Sequence, residues 1–208
     1  MLLNPFGGAG IADSNWETKA RPLLEYAHMD ITVRYTERAK HAQEICKNQL
    51  QQGQYDCIVA VSGDGLIHEI INGLMNRKDW PQFKDTVTLG FIQGGTGNGL
   101  VSSILKQSGE ELCVEEASFI VAKGRRMHMD LTEIDAEYDG RIYSFLSTAW
   151  AVVADCDVNS EMIRCIGEAR WTLWGIMRVI LMKNYFGTLD FKGFYVKNKH
   201  QYEDSYNN

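Results

Sequence analysis

The sequence has no extended basic segment. No run of lysine or arginine is longer than the pair Arg125 and Arg126, and the formal net charge is −6. Proteins that bind nucleic acid usually present a basic face, so this charge pattern argues against a nucleic-acid partner. It also argues against recruitment to a membrane through a polybasic anchor, because such anchors are clusters of lysine and arginine.

Long hydrophobic segments are missing as well. A transmembrane helix needs about 18 or more consecutive apolar residues. The most apolar stretch, residues 171–182, is shorter than that and is interrupted by Arg178. The first residues also lack the basic start, apolar core and small-residue cleavage site of a secretory signal peptide. We therefore predict no membrane span and no signal peptide.

Both ends of the sequence suggest a piece of a longer protein. A buried parallel strand usually has about five or six residues, yet the first glycine-rich turn begins only a few residues after Met1. At the other end, residues 197–208 are polar and directly follow a strand-like segment. We expect the protein to continue on both sides.

Cysteines with the spacing of a metal or redox site are absent. The cysteines are odd in number, form no Cys-x-x-Cys motif and show no zinc-site spacing. We predict reduced thiols in a reducing compartment, with Cys57 in the core because it lies in an apolar, strand-like run. The five cysteines are Cys46, Cys57, Cys113, Cys156 and Cys165.

What the sequence does contain is three glycine-rich turns, at residues 4–10, 62–65 and 94–98. Each turn follows an apolar, strand-like run: residues 2–3, 57–61 and 87–92. After a strand, glycines let backbone N–H groups approach a phosphate, and the N-terminus of the next helix adds partial positive charge. The first turn is neither a Walker P-loop nor a Gly-x-Gly-x-x-Gly motif. Together the three turns indicate a nucleotide-dependent enzyme.

The first 124 residues alternate between strand-like and helical patterns. The apolar run at 57–61 is continuous, as expected for a parallel strand that is buried on both faces. We therefore predict an α/β domain with a parallel sheet over residues 1–124. The predicted helices are 16–27, 37–52, 66–76, 99–106 and 110–122, and a further strand is predicted at 31–35.

After residue 124 the pattern changes. Residues 125–134 and 142–153 are consecutive strand-like segments without a helix between them, which predicts an antiparallel sheet. Residues 161–186 have a helical pattern, and residues 188–196 are strand-like again. We therefore predict a partial, β-rich second domain over residues 125–208.

Asp64 is the candidate catalytic residue. It lies between two glycines, after a buried strand and at the start of a helix, where the helix dipole favours a charged carboxylate. Beside a phosphate-binding turn, a carboxylate can accept the proton of an attacking hydroxyl. The alternative is an ordinary turn or N-cap aspartate. In the third turn, Thr96 offers a hydroxyl to a phosphate, and Asn98 is predicted to cap the next helix.

Three other segments leave alternatives open. Thr36 and Arg38 either contact a nucleotide or belong to an ordinary helix start, capped by Thr36. The acidic residues of segment 154–161 either bind a cation, which would be a metal or an ammonium group, or are solvated acids before a helix. The Trp- and Met-rich segment 171–182 either lines a lipid pocket or is plain core.

Taken together, these motifs resemble the sphingosine kinases, within the wider diacylglycerol-kinase-like lipid kinase superfamily. The long block Ser62-Gly-Asp-Gly-Leu-Ile-His-Glu-Ile-Ile-Asn-Gly-Leu-Met75 is closer to sphingosine kinases than to diacylglycerol or NAD kinases. The resemblance extends to Leu3-Asn-Pro-x-Gly-Gly, Gly95-Thr-Gly-Asn98, Ser147-x-Ala-Trp150 and Ala154-Asp-x-Asp157. It covers nearly the whole chain.

The resemblance implies a diacylglycerol-kinase-like catalytic domain followed by a β-sandwich-like lipid-binding domain. It implies transfer of the γ-phosphate of ATP, with Mg²⁺, to the primary hydroxyl of a sphingoid base. It implies nucleotide contacts from Asn4, Pro5, Phe6, Thr36, Glu37, Arg38, Ala39, Lys40, Glu69, Gly95, Thr96, Gly97, Arg164 and Arg170. It implies lipid contacts from Ser62, Gly63, Asp64, Gly65, Ser147 and Asp157, with Asp64 as the general base.

The sequence departs from the family pattern in two places. The family usually has a basic residue at the position of Phe6 or Ala9, and both are neutral here. The family's Asp-Gly-Glu element near the C-terminus is not in this sequence. The alternatives are a ceramide or diacylglycerol kinase and a non-catalytic lipid- or nucleotide-binding protein. For a lipid kinase we expect a cytoplasmic location with transient contact to a membrane surface.

Overall fold

The computed structural model describes residues 1–95, 97–138, 140–160, 162–163, 169–181, 184–190 and 192. The contacts between them divide the chain into two compact units, Met1–Thr148 and a second unit that begins at Ala149. The division falls after the hairpin that follows the α/β part of the chain. The domain boundary after residue 124 stays a prediction.

The first unit contains a parallel sheet with the strand order β2-β1-β3-β4. Leu3 pairs with Tyr35 on one side and with Val61 on the other, so these strands end at the same edge of the sheet. Val59–Val61 are buried, which is why β3 has a continuous apolar sequence. The predicted parallel sheet is confirmed. The strands are β1 (Leu2–Leu3), β2 (Arg34–Tyr35), β3 (Cys57–Ser62) and β4 (Thr88–Gln93).

The helices of the first unit follow the predicted order. The connections from β1 to β2 and from β3 to β4 run in opposite directions along the sheet, so right-handed crossovers place their helices on opposite faces. α3 packs against α4, and α7 packs against α2. The helices are α1 (Ile11–Asn15), α2 (Arg21–Tyr26), α3 (His41–Glu44), α4 (Asp64–Met75), α5 (Trp80–Phe83), α6 (Gly99–Ser108) and α7 (Val114–Lys123).

Pro22 lies within the first helical segment and does not interrupt it. α1 and α2 are joined by the π-helical turn Trp16–Ala20, so the chain is helical from Ile11 to Tyr26. Proline has no N–H to donate to the preceding turn. A wider π-helical turn directly before it keeps the helix continuous. The hydrogen bond from the Arg21 N–H to the Trp16 carbonyl belongs to this turn.

A buried arginine fixes the end of the helical segment that starts with α3. α3 continues as the π-helical turn Ile45–Gln49. The Arg77 guanidinium donates hydrogen bonds to the carbonyls of Cys46 (2.7 Å) and Leu50 (3.0 Å). Its side chain is only 6% exposed, and it also pairs with Asp79. Arg77 therefore satisfies carbonyls that a helix end leaves without partners.

The β-rich second domain is not confirmed. The described strands after residue 124 form one antiparallel hairpin, β5 (Thr132–Ala136) with β6 (Gly140–Ser144). β6 ends at Ser144 because its partner β5 begins opposite it, at Thr132. The predicted strands at 125–134 and 142–153 are therefore too long, since strand formation depends on a neighbour to pair with. Of the predicted strand 188–196, residues 188–190 have no regular structure, and 191 and 193–196 lie outside the described residues.

The described part of the second unit is helical. It contains α8 (Val152–Ser160) and α9 (Ala169–Ile180), which pack against each other. Asp155 and Asp157 lie inside α8, so the prediction that they precede a helix is wrong. The Arg178 guanidinium of α9 is 2.6 Å from the carboxylate of Asp155, which also accepts a hydrogen bond from the Tyr185 hydroxyl. Polar contacts thus join the two helices.

The described cysteines are free thiols, as predicted. They are Cys46, Cys57, Cys113 and Cys156, and Cys165 lies outside the described residues. Burial raises the pKa of the Cys46 thiol to about 12. The same cause raises the pKa of Cys57. Among the described residues, no helix combines the length and the apolar character that crossing a membrane requires.

Candidate active site

The three glycine-rich turns meet at the carboxyl edge of the parallel sheet. The Gly94 N–H donates to the Ser62 carbonyl (3.2 Å), and the Asp64 N–H donates to the Gly97 carbonyl (3.1 Å). A Cβ atom on Gly7 would lie 3.4 Å from the Ser62 hydroxyl oxygen. The first turn therefore touches the second, and the second is hydrogen-bonded to the third. The meeting point lies at the ends of β1 and β3, where ligands bind in open α/β sheets.

Two of these turns contact each other through their backbones. A Cβ atom on Gly63 would lie 2.5 Å from the carbonyl oxygen of Gly97, and one on Gly95 would lie 2.5 Å from the Cα of Gly63. Both distances are too short for any side chain. The sequence requires glycine here because the two strand-to-helix turns pack directly on one another.

Asp64 holds the start of a helix other than its own. It is the first residue of α4, and its carboxylate oxygens accept hydrogen bonds from the backbone N–H groups of Gly99 (2.7 Å) and Leu100 (3.1 Å). These are the first residues of α6. An ionised carboxylate has about four acceptor positions, so two contacts leave capacity for a substrate hydroxyl. The carboxylate therefore links two turns and can still accept a proton.

Asn98 does not cap α6, although its position predicts that it does. It occupies the N-cap position without a side-chain hydrogen bond to the helix. Its amide folds back instead, donating to the Gly95 carbonyl (2.6 Å) and accepting from the Gly95 N–H (3.3 Å). Asp64 supplies the cap from another part of the chain. Asn98 thus shapes the third turn, and Asp64 connects that turn to α4.

The first turn is closed by Asn4. Its side-chain oxygen accepts a hydrogen bond from the Phe6 N–H (3.0 Å), and its carbonyl accepts one from the Gly7 N–H (3.1 Å). Pro5 lies between them, and the Phe6 side chain is 77% exposed. With neutral side chains at these positions, any phosphate contact here would come from the backbone.

The segment before α3 is organised by Glu69 and not by Thr36. The predicted cap is wrong, because the helix begins at His41 and Thr36 is buried, with its hydroxyl 3.4 Å from the Leu3 carbonyl. The Glu69 carboxylate accepts hydrogen bonds from the N–H groups of Lys40 (2.9 Å) and Ala42 (3.1 Å). Glu69 lies on α4, so this helix holds the segment 36–40 at the sheet edge.

Arg38 is held by a surface ion pair. Its guanidinium forms two hydrogen bonds to the Glu44 carboxylate, at 2.9 and 2.5 Å. These bonds lower the pKa of Glu44. Glu37 is tied to the same helix start, since its N–H donates to the His41 Nδ1 (3.1 Å). An exposed pair of this kind contributes little free energy, so a phosphate can compete with Glu44 for Arg38.

The remaining predicted residues lie in different parts of the chain. Gly65 follows Asp64 in α4, and a Cβ atom there would meet nothing within 4 Å. Ser147 lies in the first unit after β6, whereas Asp157 and Arg170 lie in α8 and α9 of the second unit. Ala39 lies within the segment 36–40. Thr96 and Arg164 fall outside the described residues.

Sequence patterns missed the N–H donors of Gly99 and Leu100, because backbone groups leave no sequence signal. They also missed Asn72, a buried polar residue among the apolar positions of α4. A buried amide needs hydrogen-bond partners, and this was the signal that could have identified it. Within the residues described, no group of three or more His, Cys, Asp and Glu side chains could hold a metal ion. We therefore assign no metal ligands.

Comparisons with known proteins identify the family. Residues 1–134 match the model of the diacylglycerol kinase catalytic domain. The chain is 34% identical to sphingosine kinase 1 of Arabidopsis thaliana over 92% of its length and 39% of that protein. It is 35% identical to sphingosine kinase 1 of Homo sapiens, covering 91% of this chain and 50% of that one. It is 36% identical to sphingoid long chain base kinase 4 of Schizosaccharomyces pombe (strain 972 / ATCC 24843), covering 100% of this chain and 44% of that protein.

A solved structure of a candidate diacylglycerol kinase from Bacillus anthracis str. Sterne has the same fold over part of its length. It aligns with a TM-score of 0.50 at 25% identity, covering 62% of this chain and 42% of that one. The chain spans half or less of the length of these curated relatives. Residues 1–134, which match the family model, include all three turns that meet at the sheet edge. The chain therefore belongs to the diacylglycerol kinase catalytic domain family, and within it resembles the sphingosine kinases.

Proposed function

We propose that this chain forms the catalytic part of a lipid kinase that transfers the γ-phosphate of ATP to the primary hydroxyl of a sphingoid base. The observation that carries the proposal is the carboxylate of Asp64 at the meeting point of the three turns. It is held by the Gly99 and Leu100 N–H groups. A proton acceptor fixed next to phosphate-binding turns is what transfer to an alcohol requires.

Asp64 acts as the general base in this proposal. The hydroxyl oxygen of the acceptor attacks the γ-phosphorus, its proton passes to the Asp64 carboxylate, and the bond between γ-phosphorus and the bridging oxygen breaks. ADP leaves with the electron pair of that bond. The products are ADP and the phosphorylated base. Because α6 holds the carboxylate, Asp64 has its orientation before the substrate arrives.

The nucleotide would bind along the edge that joins the first turn, the segment before α3 and the third turn. Glu69 supports this placement, because it holds the N–H groups of Lys40 and Ala42 from α4. Arg38 contacts a phosphate after leaving Glu44. The proposed nucleotide residues are Asn4, Pro5, Phe6, Thr36, Glu37, Arg38, Ala39, Lys40, Glu69, Gly95, Thr96, Gly97, Arg164 and Arg170.

The acceptor would bind through its polar head near Asp64. We assign head-group contacts to Ser62, Gly63, Gly65 and Ser147, and we assign the ammonium group to Asp157. An anionic side chain suits a cationic amine. The names of the relatives, sphingosine kinase and sphingoid long chain base kinase, support an amine-bearing acceptor. The product would then be a sphingoid base 1-phosphate.

Mg²⁺ would accompany ATP and offset the negative charge of the phosphates. It usually binds through one or two carboxylates together with substrate phosphates. A lipid acceptor also implies transient contact with a membrane surface on the cytoplasmic side.

Replacement of Asp64 tests the proposal. In a full-length protein that carries this chain, Asp64→Asn should lower turnover roughly 10²- to 10⁴-fold, the usual contribution of a general base. The measurement is transfer from radiolabelled ATP to sphingosine. Asp64→Ser is the second variant, because serine can cap a helix but cannot act as the base.

ATP affinity and thermal stability are the controls for these variants. ATP affinity should stay close to that of the parent in both variants. Asp64→Asn should lose a little thermal stability, because its Oδ1 can still accept from the Gly99 N–H but the Leu100 N–H loses its acceptor. Asp64→Ser should lose more stability, because serine is one atom shorter. Turnover near that of the parent in either variant would remove Asp64 from the role of base. Loss of ATP binding or of folding together with turnover would assign Asp64 to holding α6 alone.

Diacylglycerol is the second candidate acceptor, favoured by the match to the diacylglycerol kinase catalytic domain. Replacement of Asp157 distinguishes a sphingoid base from diacylglycerol as the acceptor. If the acceptor is an amine, Asp157→Ala should raise the KM for the acceptor about tenfold or more, because a charge-assisted hydrogen bond is lost. A neutral diacylglycerol should be nearly indifferent to this change. The wild-type protein assayed on sphingosine, ceramide and diacylglycerol gives the direct comparison.

A further inference from the structure

A buried amide connects helix α4 to the hairpin β5–β6. Asn72 is only 4% exposed and lies among the apolar residues Ile70, Ile71 and Leu74 of α4. A buried polar side chain in such a position is costly unless its hydrogen bonds are made. Its partners therefore indicate what it does in the fold.

Asn72 pairs with the backbone of one residue in β6. Its Oδ1 accepts a hydrogen bond from the Tyr143 N–H (2.9 Å), and its Nδ2 donates to the Tyr143 carbonyl (2.9 Å). The Nδ2 group also donates to the His68 carbonyl in its own helix (2.9 Å). The Tyr143 N–H needs an acceptor and its carbonyl needs a donor, so the orientation of the amide is defined. Asn72 binds β6 as a neighbouring strand would.

This contact occupies the side of β6 that faces away from its partner strand. Tyr143 lies opposite Glu133 in the antiparallel pair. In such ladders, successive residues point their backbone groups alternately toward the partner and away from it. Since Asn72 takes both backbone groups of Tyr143, they point away from β5. A single side chain thus sets where the hairpin lies along α4.

From this anchor, the chain runs to the candidate active site. Leu146, three residues after Tyr143, has its Cδ1 atom 3.5 Å from where a Cβ on Gly99 would lie. The Gly99 N–H is the group that donates to the Asp64 carboxylate. Tyr143 of β6 therefore lies against the last turn of α4, and the segment that follows β6 places Leu146 beside the start of α6. The same segment carries Ser147, a proposed head-group contact.

We propose that Asn72 is a positioning residue for the acceptor side of the reaction. It touches neither substrate. It holds β6 through Tyr143, so that segment 145–147 lies next to the Asp64–Gly99 contact, where the alcohol must enter. The kinetic part of this inference rests on the proposed function, and the structural part does not.

The test compares Asn72→Ala with Asn76→Ala in a full-length protein that carries this chain. Asn76 is a matched control, because it is the same residue type at the end of the same helix. Among the described residues, its Nδ2 bonds only to the Asn72 carbonyl, within the helix (2.9 Å). Asn72→Ala should lower kcat/KM for sphingosine about ten- to hundredfold, the effect expected from a displaced acceptor site. The KM for ATP should stay within about twofold, and Asn76→Ala should change neither by more than that.

A purely structural role would give a different pattern. Assays run well below the melting temperature, with activity expressed per folded molecule, remove the effect of lost stability. If Asn72→Ala then keeps the parent's kcat/KM for sphingosine, or loses ATP and acceptor efficiency in parallel, the positioning role is wrong. A loss of kcat/KM for sphingosine without a matching loss for ATP supports the positioning role.

Asn72→Ser covers the case in which the alanine variant does not fold. Serine is uncharged, and its hydroxyl can donate to the His68 carbonyl one turn earlier, but it is too short to pair with both backbone groups of Tyr143. Hydrogen exchange of the backbone amides provides a readout without catalysis. Exchange at residues 143–147 should accelerate in Asn72→Ser and stay unchanged in Asn76→Ala.

The two proposals fail separately. If the wild-type protein phosphorylates no sphingoid base, the proposed acceptor is wrong, and faster exchange at 143–147 still supports the Asn72 anchor. If exchange at these amides is the same in Asn72→Ser and the parent, the anchor is wrong, whatever the enzyme phosphorylates.

Discussion

The two units of the chain hold their candidate aspartates by different means. In the first unit, Asp64 begins helix α4, which buries Leu66, Ile67, Ile70, Ile71 and Leu74. In the second, Asp157 lies in α8, where Ser160 is the one described residue that is buried, and α9 has no buried residue among those described. A core and direct backbone contacts fix Asp64, whereas the ion pair between Asp155 and Arg178 joins α8 to α9.

This difference has consequences for what each unit tolerates. Backbone packing leaves no room for an added atom, so small steric changes in the turns should be severe. Partly exposed polar contacts are weaker and more adaptable, so their loss should be milder. The following predictions test that contrast, from the largest expected effect to the smallest.

Gly95→Ala should have the largest effect. A Cβ atom there would lie 2.5 Å from the Cα and 2.6 Å from the N of Gly63, so the two turns must separate. We expect the free energy of unfolding to fall by more than about 3 kcal/mol, beyond the usual cost of overpacking, with loss of turnover. The measurements are thermal denaturation and kinase activity.

Gly65→Ala is the matched control for Gly95→Ala. A Cβ on Gly65 meets nothing within 4 Å, and alanine favours the helix by about 0.5–1 kcal/mol. This variant should be as stable as the parent or more so. If both alanine variants are equally stable, close packing of the turns does not position Asp64.

Arg77→Met and Arg178→Met compare a buried arginine side chain of the first unit with a partly exposed one of the second. Arg77 is 6% exposed and bonds two helix carbonyls, so its loss leaves them unpaired and should cost about 3 kcal/mol. Arg178 is 19% exposed and pairs with Asp155, so its loss should cost about 1–2 kcal/mol. Equal losses in denaturant titrations would contradict the contrast between the units. Arg21→Met, at an exposed pair, is the control and should change nothing measurable.

Glu44→Gln should have the smallest effect, and the effect should depend on pH. The Arg38 guanidinium lowers the pKa of Glu44 in the folded state. The pair between Glu44 and Arg38 therefore contributes its full stabilisation above the ordinary glutamate pKa of about 4.3. The contribution is lost as the pH falls through the lower pKa that Glu44 has in the folded protein. At pH 7 we expect a Tm difference of about 2 °C or less from the parent, disappearing below about pH 4 and in 1 M salt. A difference that persists at pH 3 would exclude this pair as its source.

Much of the first unit was predictable because its signals are local. Continuous apolar runs marked β3 and β4, and the apolar stripe marked α4 to within two residues. α5 was missed, since it is a single short turn of helix. The strand predicted at 142–153 is wrong in length. The length of β6 is set by pairing with β5, and the sequence of the segment itself does not show where that pairing stops.

The candidate site was predictable as a set of turns but not as a set of contacts. Spacing placed Asp64 at a strand end beside two companion turns, and all three meet. Capping was assigned to the nearest suitable residues, Thr36 and Asn98, because local patterns consider only neighbours in the sequence. The structure gives these tasks to Glu69 and Asp64, which lie far away along the chain.

The sequence by itself determined the order of strands, glycine turns and helices, and the place of Asp64 at the start of a helix. These follow from side-chain periodicity and from the backbone freedom of glycine, both of which act over a few residues. Only the tertiary structure decided that α4 holds three separate elements, through Asp64 to α6, Glu69 to α3 and Asn72 to β6. Those partners lie 27 to 71 residues apart, so packing of the whole unit selects them.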